Sequence, residues 1–377
     1  MIDFEKRLKS LKDRRQGSRE RAAFESFDSA SATNAILRGI DVRKQEAFEK
    51  LNETVGIKYA VGAMAAVDEK STRVSKSEGD RVADNLIKSL KISGESVTKR
   101  LQGSVALDIH IKGHSDVDML IIVMNPVNIE LPKVNPNGYF PSSDPRNLVD
   151  IAKDVRIKSE EILPKNFPQA EVDCTGNKSI ALEGGSLQRK VDIVPAIWFD
   201  SIKYQRSGLE SDRGVKIYHK ADHRLLLNYP FTHIKLINER DDIYSGNLKC
   251  VIRLLKNMIA DMPEYKKKVV KHLSSYDLAA IAYHMGTELN VPTYMRLALV
   301  EKTRAHLTIL DGSKAYRDSL IVPDGSRRIF DTEEKADALK ILANEIADLA
   351  VAIYKEIKPW NTAYDSSVIL NKSVFIL

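Results

Sequence analysis

Apolar residues recur along this chain in two rhythms. In "EAFEKLNETVGIKYAVGAMAAV" (46–67) and "DRVADNLIKSLKI" (80–92) they return every three or four positions, which predicts helices, and "DEKSTRVSKSEGD" between them reads as an exposed connector. In "LQGSVALDIHIKGHSDVDMLIIV" (101–123) the rhythm gives way to the aliphatic run of a strand. The stretch "NPVNIELPKVNPNGYFPSSDPRN" (125–147), with its repeated prolines and an Asn-Gly step, predicts a long loop or a loop with short strands. Asp144 and Pro145 suit the N-cap and first position of the helix that follows. Three strand-like runs come next: "AEVDCTG", "SIALEGG" and "RKVDIVPAIWF" (189–199). Beyond residue 247 the helical period returns in "NLKCVIRLLKNMIADM", in "SSYDLAAIAYHMGTEL" and in the long run 332–358, for which Asp331 and Thr332 are candidate caps. The terminal "SSVILNKSVFIL" is apolar and either tucks against a core or reaches a partner. No repeat of solenoid length is present. The pattern predicts a sheet-bearing lobe followed by a helical lobe.

Composition narrows this picture slightly. The 377 residues suffice for one large or two medium domains, and 43% hydrophobic with 29% charged residues is ordinary for a globular chain. No apolar stretch approaches the roughly 18 residues of a membrane span, and no apolar region precedes a cleavage site near the N-terminus. A cytoplasmic protein without a membrane association is expected. Cys174 and Cys250 lie far apart, and free buried thiols are expected rather than a staple. The net charge of +6 and the basic run "EYKKKVVKHL" favour polyphosphate or nucleic acid, although such a run is commonly a solvated face. The eight histidines show no zinc-ligand spacing.

The acidic residues change the reading. On a strand Asp116 and Asp118 point to the same side, and that side continues as Leu120 and Ile122. Two such carboxylates repel unless a cation neutralises them, and magnesium is the hard, oxygen-seeking candidate. Asp192, flanked by Val191 and Ile193, would come from a second apolar strand as the further ligand that two-metal phosphoryl transfer needs. A bare D-x-D also decorates solvated strands. Here, however, Gly103 and Ser104 stand upstream, with eleven residues between them and Asp116: a glycine that lets backbone approach a phosphate, and a serine that offers a hydroxyl and an amide. Asp108 and His110 are either nucleotide contacts or a solvated strand edge, and Trp198 is expected in the core.

This Gly-Ser, D-x-D and third-acid arrangement resembles the polymerase-beta-like nucleotidyltransferase superfamily. The segments 228–259 and 273–284 narrow the resemblance to the cGAS/DncV-like family, the bacterial relatives of cyclic GMP-AMP synthase and DncV; it spans about half the chain, residues 95–290. The resemblance implies an α+β, bilobed fold: an N-terminal helical region (1–95) packing on both lobes, a nucleotidyltransferase core (96–230) and a C-terminal helical domain (231–377). It implies two magnesium ions, replaceable by manganese, held by Asp116, Asp118 and Asp192. Gly103, Ser104, Lys256 and Ser275 would grip the donor triphosphate, and Tyr276 would stack on its base. ATP or other nucleoside triphosphates would be joined into a cyclic di- or trinucleotide messenger for antiphage defence, sensed by an effector protein, with no need for nucleic acid. A monomer is expected. A template-independent polymerase releasing linear product is the alternative. Two departures stand out: the N-terminal region is enlarged, and the chain ends in "FIL" without the terminal glycine that some such synthases use for conjugation.

Overall fold

The structure, a computed structural model, describes residues 2–16 and 45–375. In chain order its longer elements are α1 (Phe4–Gln16), α2 (Val55–Met64), α3 (Glu69–Ile92), β1 (Val97–Gln102), the single turn α4 (Gly103–Ala106), β2 (Val117–Ile129), α5 (Leu148–Asn166), β3 (Glu171–Asp173), β4 (Ile180–Glu183), β5 (Val191–Asp200), β6 (Gly214–His219) and β7 (Arg224–Asn228). There follow α6 (Pro230–Ile243), α7 (Asn247–Ala260), α8 (Glu264–Val270), α9 (Ser275–Tyr283), α10 (Ala298–Gly312) and α11 (Glu333–Ile357). The chain divides into two compact units: Asp68–Asp108 with Ser115–Asn238, and the remainder, Met1–Val67, Ile109–His114 and Glu239–Leu377. These boundaries fall at 67/68 and 238/239, where the resemblance implies 95/96 and 230/231. Residues 17–44 of the N-terminal region and the last two of the chain lie outside the described residues.

The first unit is built on a seven-stranded sheet of order β1-β2-β5-β4-β3, with β6 joining β5 and β7 joining β6. Only β2 and β5 run parallel; all other pairs are antiparallel. β5 and the first half of β2, to Val123, are buried on both faces and accordingly read as nearly continuous aliphatic runs. β5 pairs with β4 up to Ile193 and with β6 from Ala196. Pro195, with no N–H to give a ladder, falls at this changeover.

Alternation along β2 and β5 builds two cores. Val117, Met119, Ile121, Val123, Val191, Ile193 and Ile197 join residues of α3 and α5 on one face, whereas Leu120, Ile122, Val194, Ala196 and Trp198 join Val215 and Ile217 on the other. The first face corrects the sequence reading of 68–80, expected as a connector and in fact the first half of α3. Its N-cap is Asp68, whose carboxylate accepts the Ser71 amide at 2.8 Å. Its buried stripe here is Ser71, Ser75, Glu78 and Gly79, so the helical period is carried by small and polar residues. Gly79 is needed for contact: a Cβ there would lie 2.6 Å from Val117 Cγ1. A second correction concerns α5. Asn147, not Asp144, is its cap, accepting the Asp150 amide at 2.9 Å, while Asp144 is occupied by the backbone and guanidinium of Arg146.

The second unit is helical. α2 is buried on nearly every side, and Glu356 of α11 accepts the Gly56 amide at its start (2.8 Å). α1 is fixed by two buried ion pairs, Arg7 with Glu345 and Arg14 with Asp261. At the C-terminal end Ile369 is buried, and the Val374 amide donates to the Tyr294 carbonyl at 2.8 Å. Cys250 is buried and Cys174, in the sheet unit, half-buried; both are free thiols. Among the described residues no helix is long and apolar enough to cross a membrane.

Candidate active site

Asp118 and Asp192 are direct partners in the parallel β2–β5 register, so both project from the face that carries Leu120 and Val194. The backbone locks this corner, because the Val117 amide donates to the Lys190 carbonyl at 3.0 Å. Lys190 also donates through Nζ to Asp116 Oδ2 at 2.9 Å. β1 pairs antiparallel with β2, opposing Gln102 to Asp118, and the chain turns directly into Gly103 and Ser104. The Gly-Ser turn and the D-x-D pair are thus adjacent in space. Gly103 has φ of +72°, and a Cβ on it would stand 2.2 Å from Asp118 Oδ2, so no other residue fits without moving the carboxylate.

Asp192 is held in an unfavourable setting for a charge. Its Oδ2 accepts from Ser179 Oγ at 3.1 Å, while Oδ1 is buried without a hydrogen-bond partner among the described residues. Burial pushes its pKa above the ordinary carboxylate value and the nearby Asp116 adds to this, opposed by Lys190 and the Ser179 hydroxyl. Lys190 is shifted upward by its bond to Asp116. An orphaned carboxylate oxygen beside two further carboxylates is a hard donor set of the kind divalent magnesium takes. Among the described residues, however, no three acidic, histidine or cysteine side chains are gathered into a ready cage; Asp116 is engaged with Lys190 instead.

No protein-family model matches the chain. A curated relative does: the cyclic dinucleotide synthase CdnE of Yersinia aleksiciae is 35% identical over 363 residues, covering 94% of this chain and 93% of that protein. The chain belongs to the cGAS/DncV-like nucleotidyltransferase family. The solved CdnE c-di-GMP synthase of Capnocytophaga granulosa, described as STING-associated, superposes with a TM-score of 0.67 at 25% identity, over 93% of this chain and 99% of that one. The Rhodothermus marinus CdnE c-UMP-AMP synthase, solved with Apcpp and Upnpp, shares the fold at 18% identity, with a TM-score of 0.57 over 80% and 96% of the two chains. The α+β, polymerase-beta-like architecture read from the sequence is the observed one.

In this cGAS/DncV-like nucleotidyltransferase the other residues singled out by sequence lie as follows. Lys256 is buried on α7 at 8% exposure. Ser275 is the exposed first residue of α9, whose cap is its neighbour Ser274 in a capping box with Asp277. Tyr276 is half-buried with the Arg327 guanidinium 5.8 Å from its ring centre. These three belong to the helical unit, and Gly103, Ser104 and the aspartates to the sheet unit. His110 is buried rather than on a solvated strand edge, and the half-buried Asp108 adopts φ of +55°. Trp198 is core, with Arg213 4.0 Å and Arg100 5.7 Å from its ring centre. Sequence reading missed Lys190 and Ser179. Lys190 shares the alternation of Asp192 and was legible in "RKVD"; Ser179 depends on strand register, which the sequence does not display.

Proposed function

We propose that this nucleotidyltransferase joins two nucleoside triphosphates into a cyclic dinucleotide with release of two pyrophosphates. The observation that carries the reading is the parallel register of Asp118 with Asp192, beside a glycine that only its missing Cβ admits. The 35% identity to a cyclic dinucleotide synthase supports the product class. In each of two rounds a ribose hydroxyl oxygen forms a bond to an α-phosphorus, the bond to pyrophosphate breaks, and the hydroxyl proton is lost; the second round closes the ring.

Asp116, Asp118 and Asp192 would hold magnesium, or manganese in its place, which when bound neutralises phosphate charge and acidifies the attacking hydroxyl. Ser179 orients Asp192 by donating to Oδ2, and Lys190 balances Asp116 until it is needed as a ligand. Gly103 and Ser104 offer backbone and hydroxyl donors to the triphosphate. The family resemblance adds Lys256 and Ser275 as phosphate-binding residues and Tyr276 as the base-stacking ring. The Capnocytophaga granulosa relative described as STING-associated supports coupling of the product to an effector; a cytoplasmic, monomeric synthase that reports phage infection is what the family resemblance adds.

The test is incubation of the purified chain with magnesium and labelled nucleoside triphosphates, singly and in pairs, followed by phosphatase and chromatography. A phosphatase-resistant dinucleotide is expected from the wild type and none from Asp116→Ala, Asp118→Ala or Asp192→Ala. A linear product that phosphatase trims would establish the polymerase alternative. Full synthesis by any one variant would remove that residue from the metal site.

A further inference from the structure

After Asp108 the chain leaves the sheet unit, and residues 109–114 belong with the helical unit before Ser115 returns. This excursion lies between Gly103–Ser104 and Asp116–Asp118 in the chain, and only Ser115 separates it from Asp116. Ile109, His110 and Ile111 are buried. Ile111–His114 then forms a turn, the His114 amide donating to the Ile111 carbonyl at 3.3 Å, with Gly113 at φ +81° in the third position, where type II turns require it. The turn rests on the end of α1. Lys112 Nζ donates to the Gln16 carbonyl at 3.3 Å, and a Cβ on Gly113 would lie 3.2 Å from Arg14 Cγ.

Arg14 is held in turn from the opposite side. Its Nη1 and Nη2 donate to the two oxygens of Asp261 at 2.6 and 3.0 Å, and Nη2 also donates to Asn257 Oδ1 at 2.9 Å. Asp261 has no side-chain exposure and further accepts from Ser10 Oγ and Tyr59 OH, each at 2.9 Å. A bidentate guanidinium in this setting has one orientation available to it.

We propose that α1 is a positioning element for the catalytic carboxylates, acting through Arg14, whose alkyl stem is the platform for the Ile111–His114 turn. The inference rests on the reading of function above. The turn is one residue from Asp116 and passes displacement to it along the backbone, and a misplacement of about 1 Å can cost on the order of a hundredfold in rate. α1 supplies its own comparison: two turns away the buried Arg7 anchors the same helix through Glu345 rather than Asp261.

The experiment compares Arg14→Met, Arg14→Lys and Arg7→Met in the full chain by hydrogen exchange without nucleotide and by steady-state kinetics. Arg14→Met is expected to speed exchange in 109–116 and to lower kcat roughly ten- to a hundredfold with little change in KM. Arg14→Lys should recover part of both, since it keeps the charge but not the fork. Arg7→Met should lower the melting temperature while leaving exchange at 109–116 and kcat near wild type well below that temperature. Should Arg14→Met fail to fold, Gly113→Ala, which keeps the Arg14 and Asp261 side chains while straining the turn and crowding the Arg14 stem, is expected to give the same two effects. Unchanged exchange at 109–116, or a kcat loss no greater than that of Arg7→Met, overturns the proposal. A wild type that makes no product would instead defeat the reading of function, and the exchange comparison would still decide the anchoring.

Discussion

At Asp192 a strand buried along almost all its length presents a carboxyl whose charged form is penalised first by burial and then by the charge of Asp116. A carboxyl whose pKa is higher in the folded than in the unfolded state binds its proton more tightly when folded, so its contribution to stability declines as pH rises through that window. Without divalent ions, Asp192→Asn is therefore expected to raise the melting temperature at neutral pH. The gain should shrink as pH falls through the carboxylate range, and thermal melts at several pH values would show it. A difference independent of pH would mean that the orphaned Oδ1 is not the source of strain. The residue scale is also where the sequence was most legible. Alternation places Asp118 on the face of Leu120, because the period of a strand is two, whereas Asp116 lies just before β2 begins at Val117 and outside that alternation. That Gly103 must lack a Cβ is a fact about Asp118, and it became readable only through the motif. The partnership of Ser179 and Asp192 needs β4 to be laid against β5, which no local pattern specifies.

Among the elements, α3 shows how a period can be hidden. Its second half buries Val82, Ala83, Leu86 and Leu90 and was plain; its first half buries serines, a glutamate and a glycine, so hydrophobicity carried no signal although the spacing is the same. The substitution of small residues is physical: Gly79 meets Val117 and Met119 at a distance that leaves no room for a methyl group. Gly79→Ala gains under about 1 kcal/mol of helix propensity, against an overpacking cost of about 1–3 kcal/mol. Net destabilisation is expected in urea denaturation, with synthesis reduced as well because Val117 stands between the two carboxylates of the D-x-D pair. A stabilised variant would show that α3 shifts along the sheet at no cost. β2 to β5 and the helices α7, α9 and α11, by contrast, were legible from aliphatic runs and a three-to-four-residue period, whereas β1, β6, β7 and α10 were not singled out.

For the molecule as a whole, acid should act through the helical unit. His306 on α10 is buried, its Nε2 lying 3.2 Å from the Ile281 carbonyl, and burial holds its pKa down at about 4 from 6.5. Because the unfolded chain binds this proton more readily, the stabilisation is complete above about pH 6.5 and is lost as pH falls towards 4, amounting to about 2 kcal/mol at pH 5. Replacing His306 with glutamine should flatten the pH dependence of denaturant midpoints over that interval; an unchanged slope would place the acid sensitivity elsewhere. Finally, parallel neighbours cannot be joined by a tight hairpin, so everything between β2 and β5 is a detour whose length the pairing leaves open. Within that detour the exposed segments 135–138 and 141–143 can be lengthened in natural or engineered descendants while the two acidic partners stay in step.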